Sequence, residues 1–428
     1  MRTSVIYTLQ EPKFFKKQLL KWAQQYREIT FLDSNDYHQQ YSSFDTVLAA
    51  DALTLIKTDN YKAFEDLSAY QKTTRDWIFG YLSYDLKNDT EKLESNNYDG
   101  LDFPDLFFFQ PKKLFFIKGN QLEIAYLNMC DDELENDFNE ILATTVENED
   151  EHTPLAIKQR ITKEGYIEKV TQMLEHIHLG DIYEANFCME FYAEDAIINP
   201  YEKYQALNAI SEPPFATYFK NYKQYLLSAS PERYIRKDES KIISQPIKGT
   251  ARRSNSIQED EAIKLELTKN EKERSENIMI VDLVRNDLSR TAKKGSVNVE
   301  ELCGAYTFKQ VHHLISTVVS ELDDEYSPVD VIRTSFPMGS MTGAPKISAM
   351  QIIEKLEETK RGLYSGAVGY FTPTGDFDFN VVIRSILYNE ANKYVSFSVG
   401  SAITSKALPE KEYDECLLKA KAMRSVLE

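Results

Sequence analysis

The chain is poor in the residues that hold metals through sulfur or imidazole. Its four cysteines, Cys130, Cys188, Cys303 and Cys416, stand far apart and form no Cys-x-x-Cys pair, and its six histidines make no His-Glu-x-x-His. A zinc site is therefore not expected, and isolated thiols fit reduced, mostly buried side chains in a cytoplasmic protein. No apolar run approaches the roughly 20 residues of a membrane-spanning helix, and "MRTSVIYTLQEPKFF" lacks the apolar core of a secretory leader. Positive charge is also scarce. Lys and Arg number 50 against 68 Asp and Glu, a net charge of −18, and such a field repels nucleic acid and acidic membrane surfaces. A small anion stays bindable wherever cations cluster locally. No repeat with a period of about 20–50 residues is visible.

What the chain does have is core material. It holds 428 residues, 42% of them hydrophobic and 28% charged, which supports a large core and argues against global disorder. Residues 1–142 mix short alternating runs with aromatic clusters such as "LDFPDLFFFQPKKLFFIKG". The acidic, apolar-poor stretch "ATTVENEDEHTP", 143–154, reads as a solvated connector to a second domain, 155–428. There "TKEGYIEKVTQMLEHIHLGD" sets Tyr166, Val170, Met173, Leu174 and Ile177 on one helical face that Gly180 ends. A second helix follows from the spacing of Ile278, Val281, Leu283 and Val284, and a third, in "APKISAMQIIEKLEETKRG", has Pro345 near its first turn and Gly362 past its end. Strands are expected in "IYEANFCMEFYA", on either side of the turn Lys237–Lys241, and in "DFDFNVVIRSILYN" and "KYVSFSVGSAI". So many strands joined by short turns predict an α+β fold, with large antiparallel sheets forming a sandwich and helices packed outside.

Several constellations point to chemistry. Glu273 and Glu276, and again Glu412 and Glu415, are three apart on expected helices, so each pair aims two carboxylates at one point. Such oxygen donors suit Mg²⁺, and the plainer alternative is two acidic helix faces. "FPMGSMTGAPK" is a glycine-rich turn running into a helix, suited to an anion, although the three residues between Gly339 and Gly343 exclude a nucleotide-binding P-loop. His312 and His313 are neighbours on a strand, so at most one enters any given pocket. Arg384 interrupts an apolar strand and needs a carboxylate, either internal or bound. Lys248, in "QPIKGTARR", lies between Pro246 and Gly249, where a strand is expected to give way to a turn.

The segments "GDIYEANF", "SASPERYI", "QPIKGTARR", "ERSENIMIVDLVRNDL", "VHHLIS", "FPMGSMTGAPKISAM", "RGLYSGAVGY", "FNVVIRSI", "VGSAI" and "EKEYDECLLKAKAM" follow one another in the order of a known family. In them the chain resembles the chorismate-utilising enzymes, which include anthranilate, aminodeoxychorismate, isochorismate and salicylate synthases. The likeness runs from about residue 160 to the end, and "FLDSND" and "GYLSYD" extend it more weakly toward the start. It implies chorismate as substrate. Glu273, Glu276, Glu412 and Glu415 would be the Mg²⁺ shell, Arg384 and Tyr364 would bind the enolpyruvyl carboxylate, and Ser340, His313 and Gly400 would complete the pocket.

Within the family, lysine at position 248 is a mark of aminodeoxychorismate synthases, where the others usually carry alanine. The resemblance thus implies amination of chorismate at C4 in p-aminobenzoate and folate biosynthesis. Lys248 would attack C2 as a neutral amine, its pKa lowered by desolvation and nearby cations, and Glu232 would protonate the departing hydroxyl. Where water-adding members have a lysine base this chain has Glu184, and nitrogen-adding members more often have glutamine there. "SVGSAI" also has fewer glycines than its relatives. No nucleophile loop of Gly-x-Cys-x-Gly type surrounds any cysteine. Ammonia would therefore come from a separate glutamine amidotransferase subunit, and another enzyme would eliminate pyruvate. In "FLDSNDYHQQYSSF", the resemblance implies the segment of an inhibitory tryptophan site, but Asp33 replaces its glutamate, which leaves room for a retained structural tryptophan and makes feedback control unexpected. The competing expectations are an anthranilate synthase component I and a non-catalytic chorismate-sensing relative.

Overall fold

The computed structural model describes residues 1–37, 40–146 and 154–428. Most of the expected connector, and His38 and Gln39 of the tryptophan-site segment, lie outside them. No helix among the described residues is long and apolar enough to cross a membrane.

The paired strands are antiparallel and form two layers. One runs through Thr46–Thr58, Glu28–Asp33, Phe215–Asn221, Gln224–Ser230, Ser385–Asn389 and Tyr394–Thr404 to Glu184–Ala193. The other runs through Ile78–Leu82, Ala367–Phe371, Phe377–Val381, Arg233–Asp238 and Lys241–Gln245 to Val311–Glu321, which also pairs with Ile247–Arg252 and Asn298–Thr307. The long strand Leu106–Lys118 joins the two, pairing with Thr46–Thr58 and with Ile78–Leu82. Between the layers lies an aromatic core in which Tyr81 of one meets Phe219 of the other edge-on, 5.2 Å between centroids. A second core fills the space between the first layer and the helices Pro12–Ala23, Lys163–Leu179, Pro200–Ser211 and Pro409–Leu427. The expected sandwich with outer helices is the architecture found.

Four local expectations change. The helix opening at Lys346 stops at Leu356, not near Gly362. The Glu357 carboxylate turns inward to Arg361, at 2.7 and 2.9 Å, and to the Cys188 N–H at 2.9 Å, so a buried ion pair ends the helix. The helix Glu271–Ser289 buries Asn277, Ile280, Val281, Val284 and Leu288, while Ile278 is 39% exposed. Asn277 belongs to that inner face because its amide donates to the carbonyls of Lys248 and Leu314, at 3.1 and 3.3 Å. Asn277→Ala is expected to cost about 2 kcal/mol, read from the urea midpoint, because two buried acceptors lose their donor.

"DFDFNVVIRSILYN" is two strands, not one. Phe377–Val381 belongs to one layer and Ser385–Asn389 to the other, and the chain crosses between them through Val382–Arg384. Arg384 takes φ +53°, a left-handed conformation that branched or bulky side chains rarely adopt. Lys248, finally, is inside a strand and not at its end. The Ile247–Arg252 pairing slips between Ile247 and Thr250, and Gly249 takes φ +97°. This bulge re-aims Lys248 without ending the strand.

Candidate active site

The bulge turns Lys248 into the protein, where its ammonium lies 2.7 Å from Glu184 Oε1, the two side chains 15% and 3% exposed. Glycine is required beside it. A Cβ on Gly249 would come within 3.1 Å of Leu314 and 3.2 Å of the Glu273 carboxylate. Burial pushes the Lys248 pKa down, yet the charges of Glu184, Glu276 and Glu415 more than offset it and the value is raised. The lowered pKa expected from sequence is therefore wrong for the free protein. The groups nearest this lysine are carboxylates, not the cations the expectation assumed.

Glu232 is buried just before the strand Arg233–Asp238. Burial pushes its carboxyl up to about 7, against the pull of the Ser340 hydroxyl, the Ile247 N–H and the Lys248 charge. Ser340, expected to face substrate, thus lies beside Glu232, and both line one cavity with Pro246 and Gly339. A carboxyl near 7 is protonated about half the time at neutral pH, as a proton donor requires.

The two neighbouring histidines point apart, as strand geometry demands. His312 Nε2 lies 3.0 Å from Asp260, a carboxylate that also binds Arg253 and so ties the strand of Lys248 to its neighbours. His313 Nδ1 lies 2.9 Å from the Thr250 hydroxyl and lines a cavity with Arg384. Burial and the Arg384 charge push its pKa down to about 3, so it is a neutral imidazole. Among the described residues the Arg384 guanidinium has no hydrogen bond or ion pair, and its pKa is lowered by burial, with only the more distant Tyr364 and Glu415 opposing. Sequence reasoning required a carboxylate for this arginine. The fold supplies none in contact, which leaves a cation facing a cavity.

Tyr364 is buried with its hydroxyl 3.8 Å from Cys188 Sγ. Gly400 faces the same thiol, and a Cβ there would come within 2.7 Å of it. The glutamates sit on two helices, Glu273 and Glu276 on Glu271–Ser289, Glu412 and Glu415 on Pro409–Leu427. Burial, with Glu184 and Glu273 nearby, pushes Glu276 up to about 7 against Lys248 and Lys272. Burial and Glu415 raise Glu412 despite its bond to Ser401. In Glu415 burial is outweighed by Lys419, 2.6 Å away, and by Lys248 and Lys272, so its pKa is lowered. As placed, no three His, Cys, Asp or Glu among the described residues are close enough to hold a metal ion together. Asn277 and the Glu184–Lys248 contact were not foreseen. The only available signals were a polar residue inside an apolar helix stripe and an acid where relatives carry an amide.

A buried lysine, a carboxyl raised to about 7 near it and, at a neighbouring cavity, an arginine without a partner among the described residues suit the binding of a small anion, and comparison with known proteins says which kind. Residues 23–425 match the chorismate-binding enzyme family, and the chain belongs to it. Aminodeoxychorismate synthase component 1 of Bacillus subtilis (strain 168) is 34% identical over 363 residues, covering 82% of this chain and 76% of that protein. Anthranilate synthase component 1 of Acetivibrio thermocellus is 32% identical over 372 residues, covering 82% and 74%. The solved structure of anthranilate synthase component I from Streptococcus pneumoniae TIGR4 superimposes with a TM-score of 0.80 at 25% identity, covering 91% of this chain and 94% of that one. The chain is thus a chorismate-utilising enzyme resembling aminodeoxychorismate synthases, with anthranilate synthases also among its relatives.

Proposed function

We propose that this enzyme converts chorismate and ammonia to 4-amino-4-deoxychorismate, with Lys248 as covalent nucleophile. The observation that carries the reading is the pairing in one buried site of a primary amine, Lys248, with a carboxyl near neutrality, Glu232. Direct amination at C2, the anthranilate route, needs no amine from the protein there. Replacement of the C4 hydroxyl on the same carbon does. The Lys248 lone pair forms a bond to C2, both ring double bonds move one position toward C4, and the C4–O bond breaks as Glu232 delivers a proton to form water. Ammonia then attacks C4, both double bonds move back, and the C2–N bond breaks as Lys248 leaves. Arg384, without a partner among the described residues, takes the enolpyruvyl carboxylate, with His313 beside it at the same cavity and Tyr364 completing that end, and Gly400 offers its backbone to the ring carboxylate.

Glu273, Glu276, Glu412 and Glu415 would hold Mg²⁺. The donor set suits such an ion in charge and hardness, carboxylate oxygens only, two of them with pKa values raised by burial and mutual repulsion that a divalent cation relieves, and as they stand here these carboxylates do not converge on one point. Bound there, the ion supplies positive charge to the ring carboxylate. Ammonia comes from a glutamine amidotransferase partner, so ammonium salts should sustain turnover without it.

The test is product analysis with chorismate, Mg²⁺ and ammonium, with and without an aminodeoxychorismate lyase. p-Aminobenzoate appearing only with the lyase supports the reading, and anthranilate appearing without it makes this an anthranilate synthase. A further expectation concerns Glu232. Its acid form is lost as pH rises through about 7, so kcat/KM should fall above that pH. Glu232→Gln should lower kcat about 100-fold and remove this limb.

A further inference from the structure

A lysine ammonium that must attack as a neutral amine has to lose a proton, and the described residues offer one acceptor in hydrogen-bond contact. Glu184 Oε1 lies 2.7 Å from Lys248 Nζ. Its other oxygen, Oε2, is buried and has no hydrogen-bond partner among the described residues. A buried oxygen with no donor is open to a new hydrogen-bond donor. The acceptor is also rigidly held. Glu184 begins a strand flanked by Thr404 and Ala344, and the neighbouring Gly343 packs so closely that a Cβ on it would sit 2.2 Å from the Glu184 carbonyl.

The geometry points to Glu184 as the base that frees Lys248 for attack, a catalytic role resting on the covalent-lysine reading. The Lys248 ammonium passes one proton to Glu184. The freed pair on Nζ bonds to C2 while the C4–O bond breaks and the hydroxyl leaves as water with the Glu232 proton. When ammonia attacks C4, the C2–N bond breaks and Lys248 departs as a neutral amine, which takes its proton back from Glu184. The new C4 ammonium gives a proton to the Glu232 carboxylate, so both carboxyl groups return to their starting state. The other charged groups whose fields reach the pair are Glu276 on the helix Glu271–Ser289, Glu415 on the helix Pro409–Leu427 and Glu232 just before the strand Arg233–Asp238, while Glu273 and Lys272 act on Glu276. They act on Lys248 only through their fields, whereas Glu184 touches it.

Glu184→Gln keeps the shape and one hydrogen bond to Lys248 but cannot take the proton. With saturating Mg²⁺ and ammonium chloride, kcat at pH 7.5 should fall about 50-fold, with KM for chorismate within about twofold. The deficit relative to the wild type should shrink by about tenfold per pH unit, because the lysine proton must then leave to solvent. Formation of the Lys248 adduct from chorismate without ammonium, followed by intact-protein mass, should slow by the same factor. If the wild type makes aminodeoxychorismate and Glu184→Gln matches it at pH 7.5, or is slower by a factor independent of pH, Glu184 is not the base. Anthranilate from the wild type would remove both this role and the reading beneath it.

Discussion

Replacing Lys248 by methionine should lower aminodeoxychorismate formation by about 10⁴-fold while leaving KM for chorismate within about threefold. A covalent nucleophile contributes to the transition state and little to binding, so its loss appears in kcat. Methionine fills the space of the lysine stem, and it leaves Glu184 without its 2.7 Å partner. The mass gain on Lys248 after incubation with chorismate should vanish together with activity. A variant that keeps a tenth of the wild-type rate would mean that ammonia reaches C4 without help from the protein.

Arg384→Met is expected to lower kcat/KM for chorismate by about 1,000-fold, about 4 kcal/mol of binding to an anion in a water-poor site. The same substitution should raise the thermal midpoint of the protein without substrate. Among the described residues Arg384 has no partner, and burial works against its charge, so an apolar side chain of similar length removes a cost of the free state. Opposite signs for stability and catalysis are the signature sought. They are measured by thermal unfolding with and without chorismate, and by steady-state kinetics. If stability falls as catalysis does, Arg384 is paired in solution and the substrate role is wrong.

The order of strands and helices was legible because it rests on short-range patterns and on family segments, and the same segments name the residues proposed for the site. Tyr166, Val170, Met173 and Ile177 are buried on one helix that Gly180 ends in a left-handed conformation. The failures share a physical cause, which is contact between distant parts of the chain. Helix length at Leu356 was set by a carboxylate reaching Arg361 and Cys188, and the buried status of Asn277 by carbonyls from two other strands. The sign of the Lys248 shift depended on which charges the fold gathers. Sequence spacing places Lys248 between proline and glycine but does not say that Glu184, 64 positions earlier, faces it.

The crossing at Val382–Arg384 has a consequence for how the enzyme comes apart. Lys248 and His313 belong to one sheet, Glu184 and Gly400 to the other, Glu232 lies on a crossing between the two, and this further backbone stitch carries Arg384 itself. An anion seated on Arg384 therefore clamps the seam of the sandwich. Hydrogen exchange should slow in Phe377–Val381 and Ser385–Asn389 together when chorismate binds, although neither strand lies wholly in the pocket. By the same topology, a gene split anywhere between positions 184 and 400 yields two halves that are each inactive and recover activity only on reassociation.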